Sequence, residues 1–384
     1  MAPQPIPPDD PLVPSIREFV EAHHLAERVR DLDRRPEFPR AEFRAMGAAG
    51  LLGLRTPTVL GGRGLPLPQV GTALFHLARA SGTVFAKLSL QPEFSSVLAA
   101  HGSPELVDEW FRPMVRGERL VGNHLTEPDA GSDVAAITMR AERRGDQYLL
   151  TGTKSEAAFA ADADAAIVYA RVAGSEPVHS ITAFLVPQAL AGITRTVGET
   201  DLGEHWQRRG TVEYDAVSVP STNRIGSEGE GFRYVRAELT QERALLAAIY
   251  LGVGWASWEE TVRYVGTRRA FGHPLSAQEA VGFPLVEDAA SLEAAWLYVE
   301  RTLLHLEQGR VADGEAAMSK WMATETALRA IDHAIQFHGG RGYSGALPHE
   351  QRWRDVRSGR IAHGSSEIMH VVAARSLWAP EARP

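Results

Sequence analysis

The 384-residue chain carries a formal net charge of -8, with 44% hydrophobic and 23% charged residues. This length exceeds what a single hydrophobic core organises, so we expect two or three packed units. The acidic balance and the scattered Lys and Arg argue against a nucleic-acid partner, because no basic run could follow a phosphate backbone. The absence of Cys excludes disulfides, thiolate nucleophiles and metal–thiolate sites.

The first 13 residues are proline-rich and are predicted to be disordered. They lack the basic start and the apolar stretch of a secretory signal. No apolar run in the chain approaches the roughly 20 residues of a membrane span. We therefore expect a cytoplasmic protein with no membrane partner.

Three periodicities follow in chain order. Residues 14–118 place apolar side chains at spacings of three and four, which predicts an N-terminal helical domain. Residues 119–226 change to a period of two, in runs such as Ala166 to Ala170, which predicts a middle β domain. Residues 227–384 predict a C-terminal helical bundle, with long helical patterns over 244–265, 284–306 and 315–337. No glycine-rich turn between a strand and a helix marks a P-loop or dinucleotide fingerprint.

Four motifs carry the candidate chemistry: Thr126–Asp133 (TEPDAGSD), Thr267–Gly272 (TRRAFG), Gln336–Tyr343 (QFHGGRGY) and Trp353–Ile368 (WRDVRSGRIAHGSSEI). Glycine permits a close backbone approach to a ligand, short hydroxyls suit a flavin edge or a phosphate, and Arg pairs with a pyrophosphate. The first three motifs also have ordinary interpretations, which are a Pro-Asp turn, a solvated helix-end cation and a glycine C-cap.

In this order and at these spacings, the motifs resemble the acyl-CoA dehydrogenase superfamily across nearly the whole chain. The resemblance implies a mainly α fold with a central β domain (α+β). Its parts are an N-terminal helical domain, a β-barrel-like middle domain and a C-terminal four-helix bundle. The implied function is that of an FAD-dependent oxidoreductase acting on an acyl thioester of CoA or of a carrier protein. A homo-oligomer, tetramer or dimer, and an electron acceptor or flavin reductase are the further implied partners.

The resemblance also implies which residues contact FAD. Arg268 would pair with the pyrophosphate of the cofactor in a neighbouring subunit, and Gln336 would contact the adenosine side. The implied FAD contacts are Leu125, Thr126, Gly131, Ser132, Glu156, Ala158, Arg268, Phe271, Glu279, Gln336, Gly339, Gly340, Ser365 and Glu367. The implied substrate contacts are Ser132, Arg243 and Gly364.

The catalytic position departs from the family pattern, because the Glu-Gly-Thr that supplies the base reads His363-Gly364-Ser365. A neutral imidazole could take a proton from the carbon α to the thioester, although His363 could also be a buried histidine on an inactive scaffold. Some branches of the family carry the base before an Arg on a bundle helix, which corresponds here to Glu242 before Arg243. A solvated Glu–Arg pair is the alternative. His363 and Glu242 are both candidate catalytic residues.

The segment that faces the flavin departs as well. The family's Trp-Ile-Thr reads Glu156-Ala157-Ala158, which removes a hydroxyl near flavin N5 and an aromatic ring beside the isoalloxazine. Glu279 stands where a Gln normally contacts the cofactor. FAD remains the expected cofactor because the phosphate and adenosine motifs persist. A role in specialised biosynthesis is favoured over ordinary fatty-acid β-oxidation.

Three functions are compatible with these residues. The first is α,β-dehydrogenation of an acyl thioester, with Glu242 or His363 as base. The second is a flavin-dependent monooxygenase that takes reduced flavin from a reductase and uses the imidazole to stabilise a hydroperoxide, although Ala158 lacks the hydroxyl that such enzymes keep. The third is a binding protein that holds flavin or thioester without turnover.

Overall fold

The computed structural model describes residues 12–172, 180–198 and 201–378. Residues 1–11 of the segment predicted to be disordered lie outside the described residues, while Leu12 and Val13 begin the first helix.

The N-terminal part of the chain is helical, with α1 Leu12–Ala22, α2 Leu25–Arg34, α3 Arg40–Ala48, α4 Leu67–Ser89, α5 Ser96–His101, α6 Pro104–Leu106 and α7 Arg112–Val115. A π-helical segment, Val107–Phe111, joins α6 to α7. The longest of these helices, α4, is buried along most of its length and packs against α1 and α2. Its last turn leads directly into the segment that carries Glu93 and Phe94.

A mixed β-sheet forms the middle part, with β1 Val121–His124, β2 Arg140–Arg144, β3 Gln147–Ala157, β4 Ala165–Val172, β5 Ile181–Pro187, β6 Ile193–Val197, β7 Gly210–Pro220 and β8 Arg224–Ile225. The strand order is β6-β7-β3-β2-β4-β5-β8, and β1 lies parallel to β4. Along β4, Ala166 and Val168 face a core enclosed by the sheet, whereas Ile167 and Tyr169 join the core of the helices. This alternation produces the period of two in the sequence.

The C-terminal part contains α8 Gly231–Thr267, α9 Glu279–Glu307, α10 Asp313–His338, α11 Gly340–Tyr343, α12 His349–Arg357 and α13 Ser366–Trp378. The strands β9 Arg269–Ala270 and β10 His273–Pro274 pair between α8 and α9. The predicted helical stretches 244–265, 284–306 and 315–337 lie within α8, α9 and α10, and Pro284 lies in the second turn of α9.

The helices α8 and α10 pack together and run parallel. At one end, Arg243 of α8 and Lys320 of α10 both donate hydrogen bonds to the turn of residues 361–365. At the other end, the rings of Tyr264 and His338 stack with centroids 4.2 Å apart. We refer to these as the His363 end and the Arg268 end of the bundle. Within the described residues, no helix has the length and apolar character needed to cross a membrane.

Candidate active site

Glu242 and His363, the two candidate catalytic residues, meet at the His363 end of the bundle. His363 Nε2 lies 3.5 Å from Glu242 Oε2. Glu242 projects from α8 with 5% of its side chain exposed, and His363 sits in the 361–365 turn with 29% exposed. A base and an imidazole are therefore held together in a site that is largely shielded from water.

The turn that carries His363 has an unusual backbone. His363 has a φ of 55° and Gly364 a φ of 95°, a region that costs free energy for residues with a Cβ. Arg243 Nε donates to the His363 carbonyl at 3.1 Å. Lys320 Nζ donates to the carbonyls of Ala362 and Gly364. These hydrogen bonds hold the strained turn in place and fix the position of the imidazole.

Burial shifts the pKa values of the two candidate bases in opposite directions. It raises the pKa of Glu242 well above its usual value, an effect that Glu238 reinforces and Arg243 opposes. Burial, together with Lys320, Lys87 and Arg243, lowers the pKa of His363 to about 3. The imidazole is therefore neutral at physiological pH, and the carboxyl has a stronger affinity for protons than an ordinary glutamate.

Further groups surround the pair. The Phe94 ring stacks on the His363 imidazole with centroids 5.3 Å apart. Glu238 lies one turn before Glu242 on α8, and its Oε1 accepts hydrogen bonds from Ser96 Oγ at 3.0 Å and from the Val97 amide at 3.3 Å. The Tyr169 hydroxyl is buried without a hydrogen-bond partner among the described residues, and burial raises the pKa of Tyr169.

Sequence reasoning missed Lys320, Glu238, Phe94 and Tyr169 as neighbours of the reactive pair. The available signal was a charged residue inside an apolar helical pattern, as for Lys320 in α10, which is completely buried. Charged side chains are rarely buried without a partner, so such an interruption favours a polar site.

The first group of predicted FAD contacts lies where β1 ends. Leu125 and Thr126 are half-buried, and Gly131 and Ser132 are exposed on the loop that follows. Within this loop, the Glu127 carboxylate accepts hydrogen bonds from two backbone amides and from Lys154 Nζ, the last at 2.8 Å. These hydrogen bonds hold the loop in place, and Gly131 and Ser132 remain accessible to a ligand.

The segment with the altered flavin-facing residues lies at the end of β3. Glu156 has a φ of 54° and its side chain is 63% exposed, with Oε2 3.4 Å from Arg209 Nη2. Ala158 is half-buried. Ser365 and Glu367, the last predicted FAD contacts in the chain, flank the start of α13 just beyond His363.

The remaining predicted FAD contacts lie at the opposite end of the bundle. They are Arg268, Phe271, Glu279, Gln336, Gly339 and Gly340, all exposed. From Glu242 to Arg268, α8 advances about 39 Å at a rise of 1.5 Å per residue. That separation is beyond the reach of one dinucleotide cofactor, so a single chain does not bring these residues to the reactive pair.

The residues present fit an FAD at its phosphate and adenosine parts. A Cβ built at Gly131, Gly339 or Gly340 would meet no atom within 4 Å, so the backbone at these positions is open to a ligand. The exposed guanidinium of Arg268 and the exposed amide of Gln336 supply donors suited to phosphate and nucleoside oxygens.

The chain matches three family models, each over one part of its length. They are the acyl-CoA dehydrogenase N-terminal domain over residues 10–118, the middle domain over 122–217 and the C-terminal domain over 229–378. The chain belongs to the acyl-CoA dehydrogenase family.

Similar members of the acyl-CoA dehydrogenase family cover nearly the whole chain. Benzylmalonyl-CoA dehydrogenase of Aromatoleum aromaticum is 34% identical, with 92% of this chain and 93% of the relative aligned. A 3-(aryl)acrylate reductase of Clostridium sporogenes is 31% identical, with 94% and 96% aligned. A solved structure described as the electron transferring flavoprotein of Acidaminococcus fermentans superposes with a TM-score of 0.91 at 28% identity, covering 96% of this chain and 97% of that chain.

Family membership confirms the predicted fold, which has helical N-terminal and C-terminal parts around a central sheet. As an acyl-CoA dehydrogenase family member, the chain is an oxidoreductase that acts on acyl thioesters. The family's members are flavoproteins, and the named relatives are a dehydrogenase and a reductase.

Proposed function

We propose that the chain is an FAD-dependent α,β-dehydrogenase of an acyl thioester in which Glu242 is the base and His363 its partner. The observation that carries this proposal is the 3.5 Å approach of the His363 imidazole to the buried Glu242 carboxyl. The two residues come from distant parts of the sequence, α8 and the turn before α13.

The opposite pKa shifts favour Glu242 over His363 as the base. The strength of a base increases with the pKa of its conjugate acid, and burial raises the pKa of Glu242 while the pKa of His363 falls to about 3. A neutral imidazole next to the carboxyl can instead accept or donate a hydrogen bond as the protonation state of Glu242 changes.

The chain's residues then have distinct tasks. When bound, FAD would accept the hydride that leaves the β carbon of the acyl group. Glu242 removes the proton from the α carbon, and the fixed turn around His363 keeps the imidazole against the carboxyl. Leu125, Thr126, Gly131, Ser132 and the residues near Ser365 would hold the flavin half of the cofactor.

The second half of the cofactor site requires another copy of the chain. Arg268, Phe271, Gln336, Gly339 and Gly340 lie at the Arg268 end of the bundle, about 39 Å from Glu242 along α8. We infer a homo-oligomer, a dimer or a tetramer, in which this end of one subunit meets the FAD of its neighbour.

The substrate carrier and the electron acceptor are proposed from the relatives. Benzylmalonyl-CoA dehydrogenase supports a CoA thioester, although a carrier protein presents the same pantetheine arm. The likeness to a structure described as an electron transferring flavoprotein supports an electron-transfer protein as acceptor. The cytoplasmic location and the biosynthetic role stay predictions.

The monooxygenase has no support among the relatives named above, which are a dehydrogenase and a reductase. The non-catalytic alternative rests on the Glu156-Ala157-Ala158 replacement and on the loss of the usual glutamate at His363. The pairing of Glu242 with His363 argues against that alternative, because a binding protein has no need for a buried base.

The test is anaerobic flavin reduction by acyl-CoA thioesters, followed as loss of flavin absorbance. We expect the flavin of the wild type to be reduced. Glu242→Gln should keep its flavin and reduce it at least about 100-fold more slowly, and His363→Asn should show a smaller decrease in the rate of flavin reduction. If Glu242→Gln bleaches at the wild-type rate, Glu242 is not the base. A colourless purified protein would favour the non-catalytic alternative, and oxygen-dependent hydroxylation with a reductase would favour the monooxygenase.

A further inference from the structure

A cavity of about 690 Å³ lies between the segment after α4 and the first turns of α8, and one of its lining residues, Glu238, lies one turn before Glu242 on α8. Its lining includes Glu93, Ser96, Glu238 and Gln241. Gln241 is the neighbour of Glu242, and Glu93 is the neighbour of Phe94, whose ring stacks on His363. The distal part of an acyl chain whose α carbon faces Glu242 could extend into this cavity.

Two buried carboxyl groups line the cavity. Glu93 is 4% exposed and Glu238 is 6% exposed. One oxygen of each is satisfied by the protein: Glu93 Oε1 accepts from the Arg55 amide at 3.1 Å, and Glu238 Oε1 accepts from Ser96 and Val97. The second oxygen, Oε2, of each has no hydrogen-bond partner among the described residues.

Arg55 and Arg233 form ion pairs with carboxylates outside the cavity lining, whereas Arg63 forms a hydrogen bond to a carbonyl, and the charge of Arg55 also acts on Glu93. Arg55 pairs with Glu307 at 3.1 Å, Arg63 donates to the Ala49 carbonyl at 2.8 Å, and Arg233 pairs with Glu230. His101 also lines the cavity, and its ring stacks on Tyr234 with centroids 3.9 Å apart. None of these four forms a side-chain hydrogen bond or ion pair with Glu93 or Glu238 within the described residues.

An unpaired buried carboxylate is unfavourable, and burial accordingly raises the pKa of Glu93 to about 7 and also raises the pKa of Glu238. A hydrocarbon chain would leave both Oε2 atoms without a partner, and the ionised form of either glutamate would repel a ligand carboxylate. A hydroxyl group has one hydrogen to donate, whereas a protonated primary or secondary amine has at least two hydrogens and a compensating charge.

We propose that this cavity selects an acyl chain that carries a protonated amine, which Glu93 and Glu238 recognise as the two buried carboxyl groups of the cavity lining. The proposal rests on the proposed function, because it names the acyl group of the same reaction. It makes Glu93 and Glu238 specificity-determining residues and leaves the chemical step to Glu242.

Binding of redox-inert ligands tests the selection separately from turnover. The probes are S-(4-aminobutyl)pantetheine and S-(5-aminopentyl)pantetheine, each compared with its isosteric hydrocarbon, S-pentylpantetheine or S-hexylpantetheine. Pantetheine is common to CoA and carrier-protein substrates, and a thioether neither cyclises nor reduces flavin. Dissociation constants are measured by calorimetry on the purified wild-type protein and on the Glu93→Gln and Glu238→Gln variants.

We expect the wild type to bind at least one amine about 10- to 100-fold more tightly than its hydrocarbon isostere, as hydrogen bonds between charged groups allow. Glu93→Gln and Glu238→Gln should each lose most of this preference. Glutamine retains the Oε1 acceptor used by Arg55, Ser96 and Val97, so both variants should fold. Glu109→Gln makes the same change at an exposed position outside the cavity and should keep the preference.

Equal or tighter binding of the hydrocarbons, a preference that survives in both variants, or no binding of any probe would overturn the proposal. If a variant melts early, the wild-type comparison decides alone. Amine selectivity without flavin reduction would refute the dehydrogenase function but not the cavity's selectivity. Flavin reduction by thioesters without amine selectivity would refute only the cavity's selectivity.

Discussion

At the scale of single residues, burial sets the pKa shifts of Glu242 and His363, and the charges of neighbouring side chains modify them. Glu238 raises the pKa of Glu242 from one turn away on α8, because two negative carboxylates close together disfavour each other's ionisation. Arg243 acts in the opposite direction. The protonation of the proposed base therefore depends on side chains that do not touch the reacting atoms.

This coupling predicts a pH effect. Because the pKa of Glu242 is raised, flavin reduction should accelerate as the pH rises through that pKa and the carboxylate forms. Glu238→Gln removes the neighbouring negative charge, so the rising limb of the rate should move to lower pH. The measurement is anaerobic stopped-flow reduction across pH, with a thioester that bleaches both proteins.

Glu109→Gln is the control for the pH effect, since it removes an exposed carboxylate and should leave the limb unchanged. If the pH at which flavin reduction accelerates is unchanged or higher in Glu238→Gln, Glu238 does not raise the pKa of Glu242.

At the scale of elements, the turn of residues 361–365 carries His363 and accepts hydrogen bonds from α8 and α10. A Cβ at Gly364 would lie 2.6 Å from Met369 Cε and 3.3 Å from Arg243 Nη2, at a φ of 95°. Gly309 is a matched position in another turn, with a φ of 70° and no atom within 4 Å of a built Cβ. The two glycines share the backbone cost of an added Cβ and differ in their surroundings.

We expect Gly364→Ala and Gly309→Ala each to lower the free energy of unfolding by about 1–2 kcal/mol, because both place alanine in a left-handed conformation. Only Gly364→Ala should slow flavin reduction, by about 10- to 100-fold, since it displaces the turn that holds His363. Thermal melts and anaerobic reduction measure the two effects. Equal reduction rates for both variants would mean that the turn does not position the imidazole.

A second element-scale feature links the three parts of the chain. His205, which follows β6, lies with Nδ1 3.1 Å from Asp33 Oδ1 of α2, and its Nε2 is 2.8 Å from the Asp201 carbonyl. Arg354 of α12 binds the same Asp33 carboxylate at 2.7 Å. The hydrogen bond to Asp33 raises the pKa of His205 to about 9.

The pKa of His205 is higher in the folded protein than in the unfolded chain. The stability that the protonated imidazole contributes is therefore fully present below the unfolded pKa of about 6.5 and is lost as the pH rises towards 9. We expect the free energy of unfolding to fall by about 2 kcal/mol over this range, after allowance for solvent screening. His205→Gln should abolish this fall in urea titrations, and His273→Gln, at an exposed histidine of β10, should preserve it. The same slope in wild type and His205→Gln would exclude the imidazolium as its source.

At the scale of the whole molecule, the long α8 separates two half-sites that one cofactor cannot bridge. Glu242 lies near its beginning and Arg268 directly follows its end, about 39 Å away. In the proposed homo-oligomer, a complete site would combine the His363 end of one subunit with the Arg268 end of another.

Complementation between two defective subunits tests this arrangement. Glu242→Gln and Arg268→Ala should each be impaired alone, the first in flavin reduction and the second in flavin retention. Mixed oligomers, formed by co-expression and purified with two tags, should regain reduction, because one interface then combines an intact Glu242 with an intact Arg268. A monomer in sedimentation analysis, or mixed oligomers without recovered activity, would contradict the shared site.

The sequence by itself determined the family, the helical, β and helical order and the identity of the candidate base residues. These properties depend on local periodicity and on short motifs whose letters remain legible without coordinates. The predicted stretch 284–306 lies within α9, whose first turn precedes Pro284.

Only the tertiary structure decided which of those residues share a site. Glu242 and His363 meet because α8 and α10 pack in parallel, and because Arg243 of α8 and Lys320 of α10 hold the turn that carries His363. Glu93 and Glu238 face one cavity because the segment after α4 packs on α8. Contacts between distant parts of a chain depend on how its elements pack, and the spacing of residues in one sequence does not contain that information.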